Sequence, residues 1–295
     1  MTELQLTSIF CLLDDFCKHF FKEFNKRLIE DGKLEKIRKV RSDRLSEAEI
    51  ITILIWFNGS GYKCFKHFYL NCCSILKIYF PKIAMLWKIC SFRAKSIYCD
   101  GCFYEIINPE LFWKTDVYYI DSTPLEVCRN QRIYRHKTFK DLAARGMSSC
   151  GWFFGFKLHL ITNHQGELVS FGITSGNVAD QNMTVKLSKN LRGFLFGDKG
   201  YLSSKTVLEL LKQGLHLITK VKSNMKPKPI LETNKPLLRK RGIVETVIGQ
   251  LKEFHHLVHT KYRSVNSYFI NVLSALISYM LKPSKPAVCL NRIGF

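Results

Sequence analysis

The sequence predicts an α/β protein in which an all-helical N-terminal part precedes a mixed β-sheet with flanking helices. Three observations lead to this prediction. Apolar residues recur at three- and four-residue steps over residues 2–30, which is the spacing of one helix face. β-Branched and aromatic runs begin near residue 115. From there onward, strand-like and helix-like segments alternate, which is typical of a sheet covered by helices.

Three helices are expected in the N-terminal part. The first carries an apolar stripe made of Ile9, Leu13, Phe16, Phe20 and Phe24. A capping box at Ser46–Glu49 opens the second, and an apolar segment from Phe65 to Phe80 forms the third. Basic residues such as Lys33, Lys36 and Arg38 lie between the first two helices. Helices with basic connectors suit a DNA-end-binding module of the helix-turn-helix type, and we assign residues 1–112 to such a helical domain. A helical cap on the following domain is the alternative.

Five strands are expected after residue 115. A hairpin turn at 163–166 joins two of them, and helices at 177–191 and 205–213 separate the later ones, with Asn177 as the N-cap of the first. The strands cover residues 117–120, 152–162, 167–174, 193–197 and 216–221. Three antiparallel strands followed by strand–helix alternation indicate the five-stranded mixed sheet of a ribonuclease-H-like core.

The C-terminal part is predicted to be basic and then helical. A basic segment from Lys220 to Arg241 is interpreted as a phosphate-contacting stretch, with a solvated surface as the alternative. One long helix is expected from about Leu237 to Leu257, and an apolar helix from Tyr268 to Leu281 packs on the core. We therefore place a catalytic domain at 113–285 and a tail at 286–295.

The net charge and the length of the apolar runs restrict the possible partners of the chain. Lys and Arg outnumber Asp and Glu by 45 to 24, so the formal net charge is +21 on 295 residues. A field of this sign favours a polyanion, nucleic acid first and an anionic membrane surface second. The longest apolar run, 50–57, is far shorter than the roughly 20 residues of a membrane span, so no membrane is expected.

The eleven cysteines are scattered, and the N-terminus lacks a secretory signal pattern. Free thiols in a reducing cytoplasm are therefore expected. Zinc binding by Cys72, Cys73, Cys99 and Cys102 is an alternative, although no second pair stands at zinc-finger spacing.

Three carboxylates are the candidate catalytic residues. Asp121 and Asp198 each follow a predicted strand, and Glu245 lies in a predicted helix. Hard oxygen ligands suit Mg²⁺ or Mn²⁺, and two such ions can activate a water or a 3′-hydroxyl for in-line displacement at phosphorus. The alternative for a single aspartate at a strand end is a turn or capping role.

The flanks of these carboxylates resemble the bacterial insertion-sequence transposases of the DDE type. The similarity extends over about residues 115–285, and its motifs are Ile120–Pro124, Ala143–Gly146, Gly151–Leu160, Thr174–Asp180, Gly197–Tyr201 and Leu238–Glu245. The resemblance implies a ribonuclease-H-like core with Asp121, Asp198 and Glu245 as the metal-binding triad.

The resemblance also implies DNA contacts. Arg241, Glu245 and Lys252 fit the family signature Tyr, two residues, Arg, three residues, Glu, six residues, Lys, in which Leu238 stands at the Tyr position. Arg241 and Lys252 would hold the DNA end, with Lys240 and Arg239 beside them. A plain ion pair between Arg241 and Glu245 on a helix surface is the alternative.

The sequence thus predicts a transposase that cuts the ends of an insertion sequence and joins the 3′-hydroxyl ends to target DNA. Its partners would be the double-stranded terminal inverted repeats, the target DNA and a second copy of the chain, in the nucleoid region of a bacterial cytoplasm. A catalytically inactive or repurposed DNA-binding derivative and a structure-selective nuclease remain alternatives. Asp180 is expected to be structural, with a fourth acidic contribution to the site as the alternative, and His159 is expected to lie on a sheet face, with a ligand role as the alternative. Trp152 and Phe153 are expected in the core, with base stacking as the alternative.

Overall fold

The computed structural model describes residues 5–18, 45–83, 115–220, 231–258 and 265–289, apart from positions 16, 82, 150 and 233. The chain forms two compact units. The first comprises Met1–Ile107, Leu251–Leu257 and Tyr262–Leu281, and the second comprises Asn108–Gln250, Val258–Lys261 and Lys282–Phe295.

The described elements begin with three helices, continue with four strands, and then alternate between helices and strands before three final helices. In chain order they are α1 (5–15), α2 (Glu47–Gly59), α3 (Phe65–Tyr79), β1 (Val117–Cys128), β2 (Ala144–Ser148), β3 (Gly151–Asn163), β4 (Leu168–Ser175), α4 (Gln181–Leu187), β5 (Gly193–Gly197), α5 (Ser204–Lys212), β6 (Leu215–Thr219), α6 (Asn234–Arg239), α7 (Gly242–Glu253) and α8 (Val265–Met280). Short 3₁₀ turns lie at Asn130–Arg135 and Lys199–Tyr201.

The first unit is helical and is built around α2. The predicted capping box is present: the Ser46 hydroxyl accepts from the Glu49 N–H, and the Glu49 carboxylate accepts from the Ser46 N–H. Nearly every side of α2 is apolar, because it packs against α3 on one side and against α1 and α8 on others. Ile9 and Leu13 of the predicted stripe are buried, whereas Phe16, Phe20 and Phe24 lie outside the described residues.

The second unit is a mixed sheet with the strand order β4–β3–β1–β5–β6. β1 is antiparallel to β3 and parallel to β5, which is in turn parallel to β6. This order, with the first strand central, is the ribonuclease-H-like arrangement that the sequence predicts. A sixth strand, β2, pairs with the beginning of β3 and falls on the Ala143–Gly146 motif. It was not predicted, because five residues around a glycine carry little periodic signal.

Four local predictions need correction. β1 does not end at Ile120 but continues to Cys128, past Pro124. The predicted helix 177–191 is shorter, so Asn177 is not its N-cap and instead accepts a hydrogen bond from the Ser175 hydroxyl. The predicted long helix is two helices, α6 and α7. Trp152 is exposed rather than in the core, whereas Phe153 is buried as expected.

One core cluster of the sheet unit lies between one sheet face and the helices α4 and α5. Ile120, Leu195, Leu210 and Tyr201 are among its fully or almost fully buried members. Part of the predicted basic segment, positions 221–230 and 233, lies outside the described residues. Within the described parts of the chain, every helix is too short or too polar to cross a lipid bilayer.

Candidate active site

Asp121 and Asp198 both lie two residues beyond the last register pair of the neighbouring parallel strands β1 and β5. The register pairs Val117 with Phe194 and Tyr119 with Phe196, an offset of 77 residues. The same offset relates positions 121 and 198. β5 ends at Gly197, so Asp198 is the first residue beyond it, while β1 continues through Asp121. Strand pairing therefore brings together two carboxylates that are far apart in sequence.

The Asp121 carboxylate is mostly buried among like charges. One of its oxygens accepts a hydrogen bond from the Ser122 N–H at 2.8 Å. The pKa of Asp121 is raised to about 6, mainly by burial and also by the negative charges of Glu245 and Asp198, while the Ser122 N–H and Arg241 act in the opposite direction. All three predicted carboxylates are thus within electrostatic range of one another.

Arg241 links two of the three carboxylates. Its Nη2 donates to Glu245 Oε1 at 2.9 Å, and its Nη1 lies 3.8 Å from Asp121 Oδ2. The predicted ion pair of Arg241 with Glu245 is present, but the contact with Asp121 means that it is not merely a surface pair. Arg241 precedes α7 and lies in the turn after α6, so the prediction of one continuous helix face through Arg241 was wrong.

The other predicted DNA-contacting residues are near the ends of α6 and α7. Arg239 ends α6 and Lys240 follows it, and both side chains are exposed. Lys252 is partly buried in the last turn of α7. Leu238, at the Tyr position of the family signature, is also partly buried.

The donor atoms of the three carboxylates are of the kind that divalent cations bind. The three side chains offer carboxylate oxygens, which Mg²⁺ and Mn²⁺ prefer, and their crowding is unfavourable without a cation. In the parts that the structure describes, however, no three His, Cys, Asp or Glu side chains are arranged as a ready-made metal cluster. The Glu245 carboxylate is instead bonded to Arg241, whose guanidinium supplies positive charge. Cys72 and Cys73 are free thiols, and Cys99 and Cys102 lie outside the described residues.

Tyr201 is a further residue of this site that the sequence did not single out. Only 2% of it is exposed, and its hydroxyl has no hydrogen-bond partner among the described residues. Burial raises the pKa of Tyr201 well above its usual range, and the charges of Asp121, Asp180 and Asp198 raise it as well. Its N–H donates to the Asp198 carbonyl oxygen at 3.0 Å. The only available signal was its position in the Gly197–Tyr201 motif.

Gly197 is required by the ring of Tyr201. A Cβ atom at position 197 would lie 2.9 Å from Ile120 Cγ2 and 3.3 Å from Tyr201 Cδ2. Any larger residue would therefore displace the ring or β1. The glycine lets the aromatic ring close over the strand end immediately beside Asp198.

Asp180 forms an ion pair of its own, although its charge also acts on Tyr201. Lys157 Nζ lies 3.2 Å from Asp180 Oδ1 and also donates to the Val178 carbonyl oxygen. His159 Nδ1 lies 3.8 Å from the same carboxylate oxygen, and His159 Nε2 is 3.0 Å from the Thr174 hydroxyl. Burial lowers the pKa of His159 to about 4, so this ring is neutral near pH 7.

Comparisons with known proteins identify the family of this chain. None of the curated proteins matches the chain. Among solved structures, the piggyBac transposase synaptic complex with hairpin DNA, determined by cryo-EM, is similar at 12% sequence identity and a TM-score of 0.47, over 98% of this chain and 78% of that one. A sequence model of the family described as "Transposase DDE domain" matches residues 113–265, which is just over half of the chain. This chain therefore belongs to the DDE transposase family of nucleic-acid-processing enzymes.

Proposed function

We propose that the chain cleaves DNA at the ends of an insertion sequence and joins the resulting 3′-hydroxyl ends to target DNA. Two Mg²⁺ or Mn²⁺ ions would be held by Asp121, Asp198 and Glu245. The observation that carries the proposal is that Asp121 and Asp198 follow the paired residues of two neighbouring parallel strands and lie within electrostatic range of each other, with Glu245 tied to Asp121 through Arg241. Family membership supports the same conclusion.

In this proposal the function of the carboxylates is to bind the metal ions. Divalent ions, when bound, lower the pKa of a water or 3′-hydroxyl and stabilise the leaving oxygen at phosphorus. Asp121 is partly desolvated and lies among other negative charges, so it favours a cation beside it. Glu245 lies in the first turn of α7 and is 57% exposed, so its carboxylate has room to turn from Arg241 toward a metal ion.

The positive residues of the α6–α7 turn would hold the DNA end. Arg239 and Lys240 are exposed there, and Arg241 is next to the carboxylates. A DNA phosphate offers Arg241 a bidentate acceptor in place of Glu245. Contacts of this kind set the position of the duplex rather than reading its sequence. Lys252 is included on the basis of its place in the family signature.

The remaining parts of the proposal concern assembly. The formal charge of +21 supports double-stranded DNA as the partner, both as terminal inverted repeats and as target. Two element ends must be joined together, so we propose a homodimer on DNA. We also propose that residues 1–112 bind the element ends, that 113–285 form the catalytic domain and 286–295 a tail, and that the protein acts at the nucleoid in the cytoplasm.

The test is the substitution Asp198→Asn, assayed for nicking of duplex DNA that carries the terminal repeats, with Mg²⁺ or Mn²⁺. Nicking should fall by more than about 100-fold, which corresponds to about 2.7 kcal/mol, because one ligand charge is lost. DNA binding should persist. Asp116→Asn is the matched control, since Asp116 is exposed at the other end of β1. Nicking by Asp198→Asn at the wild-type rate would refute the proposal.

The same assay separates the two rival functions. A repurposed DNA-binding derivative would bind the repeats and leave them uncut even in its natural sequence. A structure-selective nuclease would cut branched DNA without repeats and would yield no joined product.

A further inference from the structure

We propose that an exposed aromatic and basic surface on the β2–β3 hairpin binds single-stranded DNA. We call it the hairpin face and define it by Arg145, Met147 and Trp152 together with the 3₁₀ turn Asn130–Arg135. The proposal deepens the proposed function, on which it rests for the source of unpaired nucleotides.

The hairpin face carries two large apolar side chains in water. Met147 and Trp152 are cross-strand partners, so their side chains stand next to each other on one side of the hairpin. They are 65% and 63% exposed, respectively. The opposite side of the hairpin supplies the core, through the buried Phe153. The Trp152 side chain therefore does not contribute to the core. Its exposure to water is unfavourable unless a partner covers it.

The hairpin is firmly attached to the sheet. A Cβ at Gly146 would lie 2.2 Å from the Gly176 carbonyl oxygen, and one at Gly155 would lie 2.1 Å from the Leu125 carbonyl oxygen. Such close backbone approaches hold the hairpin against its neighbours. Trp152 therefore stands on a rigid support, which lowers the entropic cost of stacking on it.

A second aromatic side chain lies beside this hairpin. The Asn130 side chain donates to the Trp152 carbonyl oxygen at 2.7 Å, which fixes the start of the 3₁₀ turn to β3. Tyr134 in this turn is 91% exposed. Two exposed rings on connected segments offer stacking surfaces for successive bases.

The charge of the region identifies the partner. Between positions 129 and 152 there are six basic residues and one acid, Asp141, a net charge of +5. The six are all exposed, and they are Arg129, Arg132, Arg135, Lys137, Lys140 and Arg145. A second copy of the chain would bring the same positive charge to this surface and be repelled. A polyanion with accessible ring faces is attracted by both features.

The partner is single-stranded because duplex bases are stacked inside the helix and cannot meet Trp152. The surface is also distinct from the candidate active site. Leu160 is the strand partner of Asp121, and Trp152 lies eight residues earlier on the same strand, which is about 26 Å. The hairpin face therefore contacts DNA several nucleotides away from the cleaved phosphate.

The test is the affinity of the full chain for a labelled twelve-nucleotide thymidine strand, measured by fluorescence anisotropy with EDTA present. Trp152→Ala should weaken binding about 10-fold, the contribution of about one stacked base, while affinity for a duplex of equal length changes less than about 2-fold. Trp152→Phe should restore most of the affinity. Arg145→Ala should reduce the salt dependence of binding by about one phosphate contact.

Leu208→Ala is the matched control, because Leu208 is 62% exposed on α5, away from the hairpin. It should leave single-strand binding unchanged. An unchanged affinity in Trp152→Ala, or equal losses for single strand and duplex, would overturn the proposal. The proposal would also be overturned if Trp152→Ala lost its affinity for phosphatidylserine vesicles but retained its affinity for the thymidine strand. The assay contains no metal ion, so its outcome is independent of whether the chain nicks DNA.

Discussion

Two groups of charged side chains in the sheet unit differ in charge balance. Around Asp180, Lys157 supplies one positive charge for one carboxylate, and the adjacent His159 is buried and neutral. Around Asp121, the single guanidinium of Arg241 faces Glu245 as well, with Asp198 nearby. The balanced group is closed by its own contacts. The unbalanced group has negative charge left over for a ligand, as expected of a functional site.

Lowering the pH adds positive charge to the balanced group by protonating His159. The pKa of His159 is lowered by burial to about 4, against about 6.5 in the unfolded chain, even though Asp180 opposes this shift and only Lys157 adds to it. Above pH 6.5 the ring is neutral in both states and the stability is complete. As the pH falls below 6.5, the unfolded chain takes up the proton first, so stability is lost until about pH 4.

The expected loss from this one group is about 2 kcal/mol between pH 7 and pH 5. Urea unfolding at the two pH values measures it. His159→Gln keeps a polar group near Thr174 but cannot take up a proton, so it should lose correspondingly less stability over the same interval. Equal pH dependence in the two proteins would show that His159 does not titrate in this way.

Replacing Arg241 removes the positively charged side chain from the unbalanced group. Arg241→Gln should raise the affinity for Mn²⁺ in the absence of DNA about 10-fold, or about 1.4 kcal/mol, because the guanidinium no longer competes for Glu245 and Asp121. Isothermal titration calorimetry measures this change directly. It requires no DNA cleavage.

Lys240→Gln is the control for Arg241→Gln. It removes the same charge one residue earlier, from an exposed side chain that forms no ion pair with these carboxylates in the described parts of the chain. Its Mn²⁺ affinity should stay within about 2-fold of the natural protein, since screened surface charges contribute little. Weaker Mn²⁺ binding by Arg241→Gln would instead mean that Arg241 holds Glu245 in place for the metal.

The sequence predicted the parts of the fold that depend on local pattern. β-Branched runs and the turn at 163–166 indicate strands because side-chain alternation and turn chemistry are local properties. The spacing of 77 residues between Asp121 and Asp198 has no meaning until the register of β1 and β5 is known, and strand pairing is not local. The motif resemblance identified the three carboxylates without that register.

Other features could not be predicted because their local signals conflict. Trp152, Phe153 and Phe154 are three consecutive aromatic residues, so alternation does not show which of them faces outward. The break between α6 and α7 falls among strongly helix-favouring neighbours, and only Gly242 marks it. The contact of Arg241 with Asp121 depends on that break, so it could not be predicted from the sequence either.

The smallest expected effect concerns Tyr201, which lies beside the unbalanced group. Tyr201→Phe removes a buried hydroxyl that forms no hydrogen bond of normal geometry among the described residues, although the Ser122 side chain interacts with it, so the free energy of unfolding should change by less than about 0.5 kcal/mol. Urea unfolding tests this, with Tyr119→Phe as the control because the Tyr119 hydroxyl is also buried without a hydrogen-bond partner among the described residues. The two substitutions should change the free energy of unfolding by similar amounts. A larger loss in Tyr201→Phe than in Tyr119→Phe would mean that the Tyr201 hydroxyl is bonded to the acidic site in solution. The phenol would then join Arg241 as a second group that compensates the excess negative charge.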